Sequence, residues 1–202
     1  RENPPGDIRR HAVGQQLYLR GGNVQIAQVQ RGGHNLIKVP DGGRVHQPEL
    51  RAGADVVVLA DGLASATCIM RDQFEKFALP VIKETIKAIQ GTVVYEPVGK
   101  IQPFIDLIPD IGASLLLLDY SDDIKKCKEV VRGKMAVMGN LNNIEMIRWS
   151  RETTLKECAK ILDQAAPGGG LILSTQGPEI PWDTPEEVIS AIVESVHLWH
   201  KK

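Results

Sequence analysis

Five short apolar runs, each ended by a polar residue, constrain this chain more than any other feature. They are DVVVLA, TVVYE, ASLLLLD, MAVMGN and GLILST, spread from residue 55 to residue 175. None alternates strictly between apolar and polar residues, as expected of strands buried on both faces of a parallel sheet. Helical patterns separate them. In RDQFEKFALPVIKETIKAI, residues Phe74, Phe77, Ala78, Val81, Ile82, Thr85, Ile86 and Ile89 fall on one face at a 3.6-residue period. SDDIKKCKEVV and RETTLKECAKILDQA read in the same way. Pro80 lies inside the first pattern and is expected to kink it. The last helix is expected to open with a capping box, with Thr184 as N-cap, Pro185 at N1 and Glu187 at N3. Strands alternating with helices predict an α/β fold with parallel strands. Five such units fit either a doubly wound sheet or part of an eight-stranded barrel.

Residues 1–50 have a different texture, rich in Gly, Gln, Arg and Pro. GNVQIAQVQ and HNLIKV flank RGG there and predict a β-hairpin. The expected division is therefore an irregular or hairpin segment over 1–50, a possible remnant of a first half, and a barrel portion over 51–202. With 202 residues, 43% of them hydrophobic, the chain can bury a core of its own. A formal charge of −1 gives no electrostatic reason to expect nucleic acid or an anionic membrane as partner. No apolar run approaches the length of a bilayer span, so no membrane association is expected. Cys68, Cys127 and Cys158 are odd in number and far apart, which predicts free thiols and a cytoplasmic location.

Reactive groups in parallel α/β folds gather at the carboxyl ends of the strands. Here those ends carry Asp61, Glu96, Asp119, Asn140 and Gln176, and Glu179 follows between two prolines. Each residue has an ordinary alternative as a helix cap or turn closer. Five on one rim favour a site, with Asp61, Glu96 and Asp119 as catalytic candidates and Asn140, Gln176 and Glu179 as substrate-binding candidates. His197 and His200 fall on the last helix, expected to face solvent. No HExxH or CxxC spacing is present, so no self-contained zinc motif is read. The dinucleotide fingerprint GxGxxG after a strand and the phosphate loop GxxxxGK[ST] are also missing.

The order of segments carries a resemblance. AGADVVVLADGLASATCIMRDQFEKFALPVIKETIKAI is similar to the strand, loop and Phe-x-x-Phe-x-x-Pro helix of the uroporphyrinogen decarboxylase-like superfamily. MGNLNNIEMI resembles its Gly-Asn segment, and GGGLILSTQGPEIPWDTPEEVISAIVESVH its closing strand, turn and final helix. The matches are collinear over residues 51–202. The resemblance implies a TIM-type (β/α)8 barrel, incomplete here, with strands four to eight recognisable. The closing turn resembles the corrinoid-dependent methyltransferase branch more than the decarboxylases. That branch moves a methyl group between a corrinoid, methylcobalamin or its equivalent on a corrinoid partner protein, and a small molecule such as a thiol or a methoxylated compound. Its zinc ligands, a His and two Cys, align with Glu96, Val98 and Pro178. Glu96 remains a possible metal ligand, while zinc itself is not expected. Glu96 with Asp61 and Glu179 could instead form an acid/base or hard-metal site. A decarboxylase-like enzyme and a non-catalytic subunit that binds a corrinoid protein are the alternatives. A homodimer is the ordinary expectation for assembly.

Overall fold

The computed structural model describes residues 54–177 and 179–200, together with the backbone of one strand at Ile26–Gln30. That strand is β1. The others are β2 (Val56–Asp61), β3 (Thr92–Pro97), β4 (Leu115–Leu117), β5 (Ala136–Leu141) and β6 (Leu171–Thr175). The helices are α1 (Arg71 to Ala88, in three consecutive segments), α2 (Ile124–Val131), α3 (Arg151–Ala165) and α4 (Glu186–Trp199). Short 3-10 turns follow β3 at Gln102–Leu107 and β5 at Glu145–Arg148.

All six strands are parallel and pair in the order β1-β2-β3-β4-β5-β6. This order separates the two architectures that the sequence left open. A doubly wound sheet reverses its strand order at a switch point. A (β/α)8 barrel adds each strand beside the last. The sheet follows the second rule throughout, so the fold is a partial TIM-type barrel. β1 lies in the segment that predicts a hairpin, and it pairs in parallel with β2. The proposed second arm, HNLIKV, lies outside the described residues.

The pleat divides the strand residues between two layers. Leu59, Val93, Tyr95, Leu116, Leu118 and Val137 pack into the main core, which also takes side chains from α1, α2 and α3. Val58, Val94 and Leu117 form a second cluster on the opposite face, flanked by Val56, Leu115 and Met138. That opposite face is the barrel interior.

Helix α1 shows how Pro80 is accommodated. Proline has no N–H and its ring clashes with the carbonyl four residues back. A π-helical segment at Phe74–Ala78 directly precedes Leu79 and Pro80, and Leu79 N–H donates to Phe74 O. The wider turn shifts the buried stripe to Phe74, Leu79, Ile82 and Ile86. Phe77 and Val81, placed on the buried face by a uniform 3.6 period, are left 62% and 40% exposed. Phe74 itself is fully buried, with its ring centroid 4.8 Å from that of Phe104.

The start of α4 also differs from the sequence expectation. Pro185 occupies the N-cap with extended backbone, and no side chain caps the helix. Thr184 is buried with Oγ1 unpartnered among the described residues. The helix begins one residue later than the capping-box reading requires, and Thr184 N–H is drawn to Pro181 O (3.0 Å) in the preceding turn. α2 and α3 do have side-chain caps: Asp123 accepts from Lys126 N–H and Ser150 from Thr153 N–H.

Cys127 and Cys158 are buried, and burial pushes the Cys127 thiol up to about 12, so both are packing residues. His197 and His200 are exposed on or beside α4. Among the described residues no helix is long and apolar enough to cross a membrane.

Gly139 in β5 illustrates how tightly the strand ends approach. Its φ is +128°, and an added Cβ would lie 2.9 Å from Leu118 O. Backbone strain and the contact act together, so Gly139→Ala is expected to lose about 2–3 kcal/mol of stability. Chemical denaturation checks this, and a loss below about 0.5 kcal/mol, typical of a neutral surface change, would show that β5 relaxes freely there.

Candidate active site

The register fixes which face each strand-end residue occupies. Ala60 of β2 stands beside Glu96 of β3. Glu96 is two residues beyond Val94 and so shares its interior face. Asn140 is two beyond Met138, and Asp119 and Gln176 continue the same alternation past β4 and β6. The pleat therefore brings Glu96, Asp119, Asn140 and Gln176 to the interior side of the carboxyl ends.

Asp61 is one residue beyond Ala60 and falls on the other face. Its Oδ1 accepts from Leu63 N–H (3.2 Å) and Ala64 N–H (3.1 Å), closing the turn after β2. It lines a cavity of about 490 Å³ on the helix side with Gln73, Phe77 and Val81. Glu179 is exposed, and its contribution is a backbone carbonyl that accepts from Asn143 Nδ2 (2.8 Å). Asp61, Glu96 and Glu179 are thus not gathered into one acid/base cluster.

Three of the interior residues are occupied by the architecture of the loops. Asp119 Oδ1 accepts from the N–H and hydroxyl of Ser121 (2.9 and 2.6 Å). Asn140 Nδ2 donates to the carbonyls of Asp119 (2.9 Å) and Asp122 (3.0 Å). Gln176 Oε1 accepts from Tyr120 N–H (3.1 Å). These bonds tie the loop after β4 to β5 and β6.

At the centre of that network is Asp122, which the sequence reading passed over. It is 5% exposed and accepts from the N–H groups of Ile101 (3.2 Å to each oxygen), Gln102 (2.9 Å) and Asp119 (3.3 Å). It therefore joins the loops after β3 and β4. Burial raises its pKa, while the backbone N–H groups oppose that rise. The signal in the sequence was an acidic pair, Asp122-Asp123, of which only Asp123 reads as a helix cap.

The loops after β2 and β3 are joined separately. Ala66 N–H donates to Lys100 O (2.8 Å), and Lys100 N–H donates to Thr67 Oγ1 (3.2 Å). Gly99, with φ +106°, permits this approach, because a Cβ there would meet Thr67 Oγ1 at 2.6 Å.

Glu96 stands apart from all of these. It is 2% exposed, and its Oε1 is buried with no hydrogen-bond partner among the described residues. Burial alone raises its pKa to about 7. The group is poised to hold or release a proton near neutral pH, the property required of a general acid or base.

A zinc site of the kind the resemblance implies does not fit these residues. Val98, 46% exposed, offers only methyl groups, and the side chain of Pro178 has no lone pair to donate. Among the described residues no three His, Cys, Asp or Glu side chains are grouped to hold a metal ion.

Comparisons with known proteins agree with this architecture. Residues 47–199 match the family model described as uroporphyrinogen decarboxylase (URO-D). The uroporphyrinogen decarboxylase of Geobacter metallireducens is 28% identical over 159 residues, covering 76% of this chain and 45% of that protein. The enzyme of Wigglesworthia glossinidia brevipalpis is 35% identical over 99 residues, covering 49% of this chain and 27% of that protein. A solved methyltransferase from Methanosarcina mazei has the same fold, with a TM-score of 0.68 and 23% identity, covering 75% of this chain and 44% of that one. The chain spans less than half the length of these relatives. With a family model matching about three quarters of its residues on a sequential parallel barrel sheet, the chain belongs to the uroporphyrinogen decarboxylase family.

Proposed function

We propose that this chain is part of a corrinoid-linked methyltransferase, with Glu96 as its proton-active group. The observation that carries the reading is the buried Glu96 carboxyl on the interior face of the strand ends, with Oε1 unpartnered among the described residues. The closing turn, TQGPEIPWDTP, supports the methyltransferase branch, and the fold is shared with a methyltransferase. A corrinoid, when bound through its partner protein, supplies the cobalt that carries the methyl group. The loops at the strand ends suit a large flat macrocycle or the protein that bears one. Leu63, Val98, Tyr120, Ile144 and Trp182 are exposed on the successive loops after β2 to β6, with Trp182 98% exposed.

In this reading Glu96 exchanges a proton with the small-molecule methyl donor or acceptor. Asp119, Asn140 and Gln176 hold the loop after β4, and Asp61 closes the turn after β2. No step of this reading runs through zinc, because Val98 and Pro178 offer no side-chain ligand to the metal. Decarboxylation of a tetrapyrrole is the second reading, favoured by the names of the curated relatives.

The test is methyl transfer by the intact gene product, followed in the visible spectrum of methylcobalamin. A spectral change that depends on a thiol or methoxylated partner is the expected result. No change with either class, together with no corrinoid binding, overturns the proposal. Decarboxylation of uroporphyrinogen by the same preparation establishes the second reading in its place.

A further inference from the structure

The cavity on the helix side of β2 is separate from Glu96 and from the proposed function. It holds about 490 Å³, within the range of small-molecule sites. Leu63, Ile69, Phe77 and Val81 supply its apolar walls, and Asp61 and Gln73 its polar groups. Two features of the fold build it. The π-helical segment of α1 turns Phe77 and Val81 outward, where a uniform helix would bury them. The turn after β2 fixes Asp61, whose Oδ1 accepts from Leu63 N–H and Ala64 N–H. Both bonds fall on one oxygen, which leaves Oδ2 to a ligand.

The charge of Asp61 is uncompensated. No lysine or arginine is paired with it among the described residues, and it is the one charged residue among them that lines the cavity. Gln73 Oε1 already accepts from Met70 N–H (2.9 Å), so Gln73 adds no competing acceptor. Lys76 Nζ lies 5.2 Å from the centroid of Phe77 and takes one face of that ring, so a ligand cation is held by Asp61 and not by the ring. A carboxylate beside apolar walls selects a cation with a hydrocarbon body. A neutral hydroxyl gains a weaker hydrogen bond there, and an acid meets like charge. A bare inorganic cation leaves the exposed apolar walls uncovered. The spare N–H groups of an ammonium stay in water, because Phe77, 62% exposed, leaves the cavity open to solvent. We infer that this cavity binds a small aryl- or alkylammonium ion, with its charge on Asp61 Oδ2 and its hydrocarbon against Phe77 and Val81.

Titration of the intact gene product with phenethylamine, phenethyl alcohol and hydrocinnamate, followed by backbone amide chemical shifts, tests this. The amine should bind about tenfold more tightly than the alcohol, the difference between a charge-assisted and a neutral hydrogen bond. Hydrocinnamate should not bind. The shifts should centre on Leu63, Ala64 and the turn of α1 that carries Phe77. Asp61→Asn keeps an Oδ1 for the two turn N–H groups and should remove the preference for the amine over the alcohol. Phe77→Ser, at an exposed position, should weaken the amine and the alcohol alike, by about tenfold. Equal binding of amine and alcohol, a preference that survives Asp61→Asn, or shifts centred elsewhere overturns the inference. Absence of amine binding also overturns it, as when another part of the gene product fills the groove. Methyl transfer is read separately and depends on Glu96, so either result can fail without the other.

Discussion

Glu96→Gln is expected to stabilise the protein at pH 8 by about 3 kcal/mol relative to the wild type and to give no such gain at pH 4. The carboxyl has a folded pKa of about 7 against an ordinary value of 4.5. Folding therefore favours its neutral form. That contribution is fully present below about 4.5 and is lost as pH rises through about 7, where the fold must hold a buried charge without a partner. A glutamine is neutral throughout and of similar shape. Denaturant unfolding of both proteins across this range should give stabilities that meet near pH 4, diverge between about 4.5 and 7, and keep that separation above. Parallel curves would mean that Glu96 is solvated or paired in solution. A residue whose removal stabilises the fold under working conditions is retained for something other than stability, which ties this prediction to function.

Asp122→Ala is expected to have the largest destabilising effect at the strand ends, about 4 kcal/mol. The variant leaves three backbone N–H groups, those of Ile101, Gln102 and Asp119, without their acceptor. Each buried donor left unpaired costs about 1–3 kcal/mol, with water recovering part of the total. Asp122→Asn keeps one acceptor oxygen and should lose about half as much. Amide hydrogen exchange gives the specific readout. Protection should fall at Ile101, Gln102 and Asp119 while the amides of β5 and β6 keep theirs. Unchanged protection at those three positions would show that the loops after β3 and β4 are held by other contacts.

The strands were legible because burial on both faces leaves continuous apolar runs, and the polar residue ending each run marks where the sheet stops. The same property hid the orientation of the side chains. A strand without alternation does not disclose which face a given residue takes, and a one-residue offset reverses it. Asp61 and Glu96 look equivalent in sequence, each closing an apolar run. Only the pairing of Ala60 with Glu96 shows that Asp61 lies on the opposite face. Asp61 and Asp119 carry out the ordinary turn-closing roles that were the alternative reading for each. The stripe on α1 was misassigned because the 3.6-residue period was carried through a π-helical segment. Asp122 escaped notice because its partners, Ile101 and Gln102, are about twenty residues away and contribute only backbone N–H groups, which leave no trace in sequence.

The ionisation of Glu96 tests the account most directly. Carbon-13 NMR of the side-chain carboxyl carbon in the intact gene product, assigned by loss of the signal in Glu96→Gln, follows it through a pH titration. The account requires a midpoint near 7, set by burial among apolar neighbours. A midpoint near the ordinary 4.5 would place the carboxyl in contact with water or a compensating donor and would remove the basis for Glu96 as the proton-active group of the site.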